Sequence, residues 1–200
     1  MSTIDRRKFL SFLAAGVATP YVVTFTSGDA KAGLVAPDAP FELDSQRVFS
    51  LSVSSGDPTP TGVVLWTRID PSAWRAGQAL IVQVARNADF LQLEFESIVE
   101  SQNIRPERDY CVSVDVDGYL QPNIRYYYRF IYDNTLSRTG RCRTAPPYGA
   151  ALDHLKLGLL TCQDYTNGYY GALAQIANDD SIDFVIHLGD FIYETAGDPR

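Results

Sequence analysis

The sequence predicts a chain in two parts: a small antiparallel β-sandwich, then the opening β-α-β unit of an α/β domain. Three observations carry that prediction. About seven short alternating runs, separated by turn residues, fill the stretch from Arg47 to Thr144, the spacing of a sandwich. Past Tyr148 the pattern changes to continuous apolar runs, which suit parallel strands buried on both faces. Twelve Tyr and ten Phe in 200 residues add aromatic weight that favours strands.

Residues 1–32 read as an address rather than a fold. Asp5-Arg6-Arg7-Lys8-Phe9-Leu10 pairs two arginines with Phe-Leu, an apolar stretch runs from Phe9 to Phe25, and Ala30-Lys31-Ala32 supplies an A-x-A-like cleavage site. Together they have the form of a twin-arginine signal, which exports bacterial proteins already folded. An uncleaved anchor fits less well, because the run is short of the ~20 residues a spanning helix needs and Pro20 interrupts it. The expected partner is the Tat export machinery, the expected location periplasmic or extracellular (cell wall included), with no stable membrane span. Residues 33–46, with Pro37 and Pro40 and no periodicity, read as a linker.

The sandwich is expected over residues 47–147. Its first strand is placed at Arg47–Ser55, ending in the turn cluster Ser55-Gly56-Asp57-Pro58, where Asp57 is a turn former. Gly62–Ile69 and Leu80–Arg86 follow, then a weaker run at Leu93–Val99. Tyr110–Val116 places Val112, Val114 and Val116 on one face; Arg125–Tyr132 is dense in Tyr; Ser137–Thr144 closes the series. The number and spacing fit the immunoglobulin or fibronectin type III class. Tyr126–Tyr128, after Leu120-Gln121-Pro122-Asn123, mark the corner before a late strand, with the tyrosines as packing residues.

Thr144-Ala145-Pro146-Pro147-Tyr148-Gly149 breaks the pattern, so residues 148–200 form the second part. Leu155–Thr161 is a buried strand, Gly168–Asn178 a helix with Asn167 or Asp164 as cap, and Asp183–Leu188 a second buried strand. Strand, helix and strand at this length predict parallel pairing with a right-handed crossover.

Composition narrows the chemistry. With 46% hydrophobic and 20% charged residues the chain is globular, and its net charge of −7 argues against general nucleic-acid or anionic-membrane binding. A phosphate ligand would therefore need a local positive source such as a metal. Of the three cysteines, Cys111 and Cys142 can pair if their strands are neighbours, which leaves Cys162 as the odd one.

Both strands of the second part end in ligand chemistry. One runs into Thr161-Cys162-Gln163-Asp164-Tyr165, the other into Gly189-Asp190-Phe191-Ile192-Tyr193-Glu194. Ligands of open parallel sheets bind beyond the carboxyl ends of strands, so Cys162 and Asp190 are expected at one edge. Gly189 allows a sharp exit, and Tyr193 can turn its phenol toward the same point. Thiolate, carboxylate and phenolate make an anionic set suited to a trivalent iron. A bridging carboxylate is also how two-metal phosphatases hold a pair of ions. The ordinary alternatives are a packed Cys162, a capping Asp190 and a packed Tyr193. Asp164, Asn167 and Glu194 receive no role beyond rim or cap. His154 is expected to be solvated. His187, inside the second strand, is read as a buried structural residue ahead of a supporting role near the site.

Here a resemblance appears. Leu159-Leu160-Thr161-Cys162-Gln163 with His187-Leu188-Gly189-Asp190-Phe191-Ile192-Tyr193-Glu194 resembles the first two motifs of the alkaline phosphatase D (PhoD-like) family, within the calcineurin-like metallophosphoesterase superfamily. Cys162 stands where most of that superfamily begins with Asp-x-His. Ser54-Ser55-Gly56-Asp57-Pro58, Val64-Leu65-Trp66-Thr67-Arg68, Tyr126-Tyr127-Tyr128-Arg129-Phe130 and Gly140-Arg141-Cys142-Arg143-Thr144-Ala145-Pro146 are similar to the family's N-terminal sandwich. The resemblance implies exported hydrolysis of phosphate mono- and diesters by a metal-activated hydroxide, using iron(III) and calcium. It places Cys162, Asp190 and Tyr193 on iron, with Asp190 bridging to calcium. The superfamily's later motifs, an Asn-His pair and further His or Asp ligands, have no counterpart up to Arg200. The 200-residue chain is thus expected to be inactive alone, with its α/β part weakly stable. Two other readings remain: an exported sandwich-type binding module with a remnant catalytic part, and a purple-acid-phosphatase-like hydrolase, against which Cys162 argues.

Overall fold

The computed structural model describes residues 45–163, 171–191 and 193, together with the backbone of residues 22–24. Asp164, Asn167, Glu194, and most of the leader and linker lie outside the described residues. The chain divides into two compact units, Met1–Tyr148 and Gly149–Arg200.

In the first unit a short strand β1 (Val22–Thr24) and a helical turn α1 (Ser45–Val48) precede the sandwich. Then come β2 (Val53–Thr59), β3 (Gly62–Arg68), β4 (Leu80–Ala85), β5 (Leu93–Val99), β6 (Cys111–Asp115), β7 (Arg125–Tyr132), β8 (Thr135–Leu136) and β9 (Gly140–Arg143). One sheet has the order β1-β6-β3-β2; the other runs β5-β4-β7-β8, with β9 also paired to β7. All pairings are antiparallel except β1 on β6, where Val22–Thr24, inside the stretch read as leader, lies parallel along Ser113–Asp115. Placing β5 beside β4 differs from the constant immunoglobulin arrangement, in which a fourth strand joins the first sheet. The layout stays within the immunoglobulin or fibronectin type III class of sandwich.

Alternation explains the core. Leu65 from β3, Val82 and Val84 from β4, Val112 and Val114 from β6, and Tyr126, Tyr128, Phe130 and Tyr132 from β7 are all buried in one cluster. The Tyr126 hydroxyl accepts from the Gln121 backbone N–H at 2.9 Å, five residues upstream, which closes a tyrosine corner at the turn where the sequence placed one. Thr144, fully buried, completes it by donating to the Gln121 carbonyl at 2.7 Å and accepting from Ile124 N–H at 3.1 Å.

Three details differ from the sequence reading. Arg47 and Val48 are helical, because Val48 and Phe49 drop into the core as a plug rather than extending a strand. Ser55-Gly56-Asp57-Pro58 lies within β2 instead of ending it. The register shifts between Gly56 and Thr59, and Asp57 sits at φ 50°, so the cluster is a bulge. Pro58, which has no N–H to give, falls in that unpaired stretch. The final predicted strand, Ser137–Thr144, is the shorter β9, and β8 at Thr135–Leu136 precedes it unforeseen. Cys111 and Cys142 belong to different sheets and are free, like Cys162.

The second unit contains β10 (Leu157–Leu160), α2 (Gly171–Asn178) and β11 (Phe184–His187). The two strands pair in parallel, Leu157 opposite Phe184 through Leu160 opposite His187. Helix α2 covers the face carrying Gly158, where an added Cβ would lie 3.2 Å from the Ile176 Cδ1. The other face is open: Leu157 is 42%, Leu159 62% and Ile186 41% exposed. Both runs were expected to be buried on both sides; one helix can cover only one. Among the described residues no helix is long and apolar enough to cross a membrane.

Candidate metal centre

The two strands of the second unit do not separate where they end. Leu188 N–H donates to Leu160 carbonyl at 2.8 Å, Cys162 N–H to Gly189 carbonyl at 3.3 Å, and Gln163 N–H to Asp190 carbonyl at 3.0 Å. This extension holds the residues after β10 and β11 side by side at one edge, the position where open parallel sheets place ligands.

The backbone there is unusual. Cys162 has φ 55°, Asp190 φ 53° and Gly189 φ 115°. A left-handed conformation at a non-glycine residue costs on the order of 1–3 kcal/mol and collects at functional sites. Here one such residue leaves each strand. Among the described residues nothing lies within 4 Å of a Cβ built on Gly189, so its φ, not crowding, is what asks for glycine.

That backbone brings the three predicted site residues together. The Cys162 thiol lies 3.5 Å from Asp190 Oδ2, and the Tyr193 hydroxyl donates to the same oxygen at 3.2 Å. Thr161 Oγ1 sits 3.3 Å from Cys162 Sγ and donates weakly to the Gly189 carbonyl at 3.5 Å. Cys162 and Asp190 are exposed, and Tyr193 is 44% exposed. Hydrogen bonding with Cys162 first, then loss of hydration, then Asp190, raise the Tyr193 phenol above its usual range. Without a cation the phenol therefore keeps its proton and donates it to Asp190. A cation among them would reverse that balance and favour the ionised forms.

The donor set fits such an ion: one sulfur and two oxygens, each anionic when ionised, around a shared carboxylate oxygen. Among the described residues no three His, Cys, Asp or Glu side chains gather. It is the phenol of Tyr193 that brings the donors to three.

Two neighbours join the trio, of which the sequence reading had weighed His187 and given Thr161 no role. Thr161 fastens the thiol, and its place one residue before Cys162 is the signal that marks it. His187, read as structural, accepts the Gly189 N–H on Nδ1 at 3.2 Å. His154 is exposed.

A family profile described as "PhoD-like phosphatase, N-terminal domain" matches residues 35–146, more than half of the chain, and one described as "PhoD-like phosphatase" matches residues 157–200. The chain belongs to the PhoD-like phosphatase family. The second match spans β10 to the chain end and so contains Cys162, Asp190 and Tyr193. Alkaline phosphatase D of Bacillus subtilis (strain 168) is 35% identical over 199 residues, covering 96% of this chain and 33% of that protein. A solved structure described as "Structure of PhoD" matches with a TM-score of 0.67 at 34% identity, covering 78% of this chain and 30% of that one. The chain thus spans about a third of the length of these PhoD-like relatives.

Proposed function

We propose that this chain carries the first part of the metal centre of an exported phosphoester hydrolase that acts on phosphate mono- and diesters. The observation that carries the reading is one atom: Asp190 Oδ2 receives both the Cys162 thiol and the Tyr193 hydroxyl, although Cys162 and Asp190 follow different strands. Family membership and the name of the B. subtilis relative support the reaction class. Cys162, Asp190 and Tyr193 would hold an iron(III), and Asp190 would also serve a calcium. Bound there, the ions would activate water and neutralise charge on the phosphoryl oxygens.

The chain's own residues prepare the place. Thr161 orients the thiol, the paired strand exits fix the separation of Cys162 and Asp190, and Gly189 gives the carboxylate its direction. With net charge −7, the protein draws a phosphate ester through this local site rather than through its overall field. Export by the twin-arginine route, read from Arg6-Arg7 and the apolar stretch behind them, fits a protein folded around its metal before crossing a membrane. We place the described β-α-β unit as the opening of a metallophosphoesterase domain.

The test is addition of iron(III) followed by visible absorption. Thiolate and phenolate donation to iron should give charge-transfer bands, with Cys162→Ala removing the sulfur component and Tyr193→Phe the phenolate component. Spectra unchanged in both variants would remove the trio from the metal and with it the proposed chemistry.

A further inference from the structure

We infer that His187 is a positioning residue for Asp190: its ring sets the turn that points the carboxylate at Cys162. The inference rests on the reading of that edge as a metal centre. The ring stands on the last residue of β11, opposite Leu160, three residues before Asp190. Its Nδ1 accepts the Gly189 N–H at 3.2 Å, so the ring proton sits on Nε2. The bond closes a loop of two residues around Leu188 and holds the peptide entering Gly189 at the place where the chain takes φ 115° and then 53°. Gly189 and Asp190 have no rigid side-chain packing of their own to do this, since both are exposed. Phe191 packs edge-on against the imidazole, with ring centroids 5.1 Å apart.

The other ring nitrogen shows that the histidine is not there for stability. Nε2 is buried and, among the described residues, has no hydrogen-bond partner. An unpaired buried N–H costs more than one neutral hydrogen bond to an exposed amide returns. A leucine or phenylalanine would fill the same space without that loss. What neither can supply is an acceptor placed two residues before a glycine N–H. The imidazole exchanges stability for the direction of Asp190, much as residues behind metal ligands orient them elsewhere.

The experiment has two arms on the full chain, comparing unmodified protein with His187→Asn and His187→Leu. Asparagine offers Oδ1 close to the position of Nδ1; leucine offers shape alone. The first arm uses no metal. At about pH 8.5, above the ordinary imidazole range, long-range nitrogen–proton NMR of the unmodified chain should find the His187 ring proton on Nε2. The Gly189 amide should exchange slowly in the unmodified and Asn proteins and about tenfold faster in the Leu protein. A ring proton on Nδ1, or equal exchange in all three, overturns the proposal. The second arm adds iron(III). The Asn variant should bind within a few-fold of the unmodified chain, and the Leu variant about 10–100-fold more weakly. Unaltered affinity in the Leu variant overturns the proposal. Absence of any iron band in the unmodified chain would sink the metal reading instead, and the exchange pattern of the first arm would still decide the role of His187.

Discussion

At the scale of single residues, environment assigns different fates to chemically identical side chains. Cys142 is buried and its thiol is pushed up to about 12 by loss of hydration, whereas Cys162 is exposed beside Thr161 and Asp190. Thiolate is the reactive form, so we expect a thiol reagent to modify Cys162 in the folded protein and Cys142 only after unfolding. Mass spectrometry of the labelled peptides reads this directly, and rapid labelling of Cys142 in native protein would contradict the packing. Cys111 lies between them, half-buried, with its thiol raised by burial and the nearby Asp109. Tyr126 is a second case. Phenylalanine would keep its buried ring and lose only the acceptor for Gln121 N–H, so Tyr126→Phe should destabilise the sandwich by about 1–3 kcal/mol in urea unfolding. A variant as stable as the parent would mean that water replaces the hydroxyl.

At the scale of elements, close backbone approach sets the tolerances. A Cβ on Gly62 would lie 2.3 Å from Asp117 Cα and 2.5 Å from the Val116 carbonyl oxygen, backbone atoms of the turn after β6. Gly62→Ala therefore has to push two strands apart and should cost at least about 1–3 kcal/mol, measured as a fall in urea midpoint; an unchanged midpoint would show that the turn yields freely. The link from β10 to α2 and β11 depends on charge instead. Asp179 accepts from the Ser181 hydroxyl and N–H and from Lys156 Nζ, and these bonds, Ser181 first, hold its carboxyl well below the usual range. A depressed carboxyl stabilises above its unfolded pKa of about 3.9 and loses that contribution as pH falls toward its folded value. Acid below about pH 4 should thus loosen this unit, and Asp179→Asn should flatten the dependence when proteolysis is followed against pH.

At the scale of the molecule, the two units differ in how much apolar surface they cover. The sandwich buries a continuous core from both sheets, whereas β10 and β11 leave Leu157, Leu159 and Ile186 open. Local stability follows buried apolar contact, so limited proteolysis should cut within Gly149–Arg200 well before it cuts β2 to β9. First cuts inside the sandwich would reverse that ranking. The sandwich was legible because β-strand alternation, turn residues and the Tyr126 corner are local signals. The plug at Val48 and the bulge at Asp57 were not, because both answer to what lies across the core and the neighbouring strand. The site was partly legible. Cys162 and Asp190 follow from the rule for strand ends, but Thr161 and His187 matter through hydrogen bonds whose partners only the folded chain brings near.

Sequence alone determined the order of the two parts, the parallel strand-helix-strand grammar of the second, and which three side chains carry donor chemistry. Periodicity and residue type are properties of the chain itself. Tertiary structure decided that one oxygen of Asp190 is shared by Cys162 and Tyr193, that the strand exits carrying Cys162 and Asp190 both take left-handed backbone, and that His187 bonds Gly189. Those are facts of distance and direction between segments 28 residues apart. They arise only once two strands have paired and fixed each other's register.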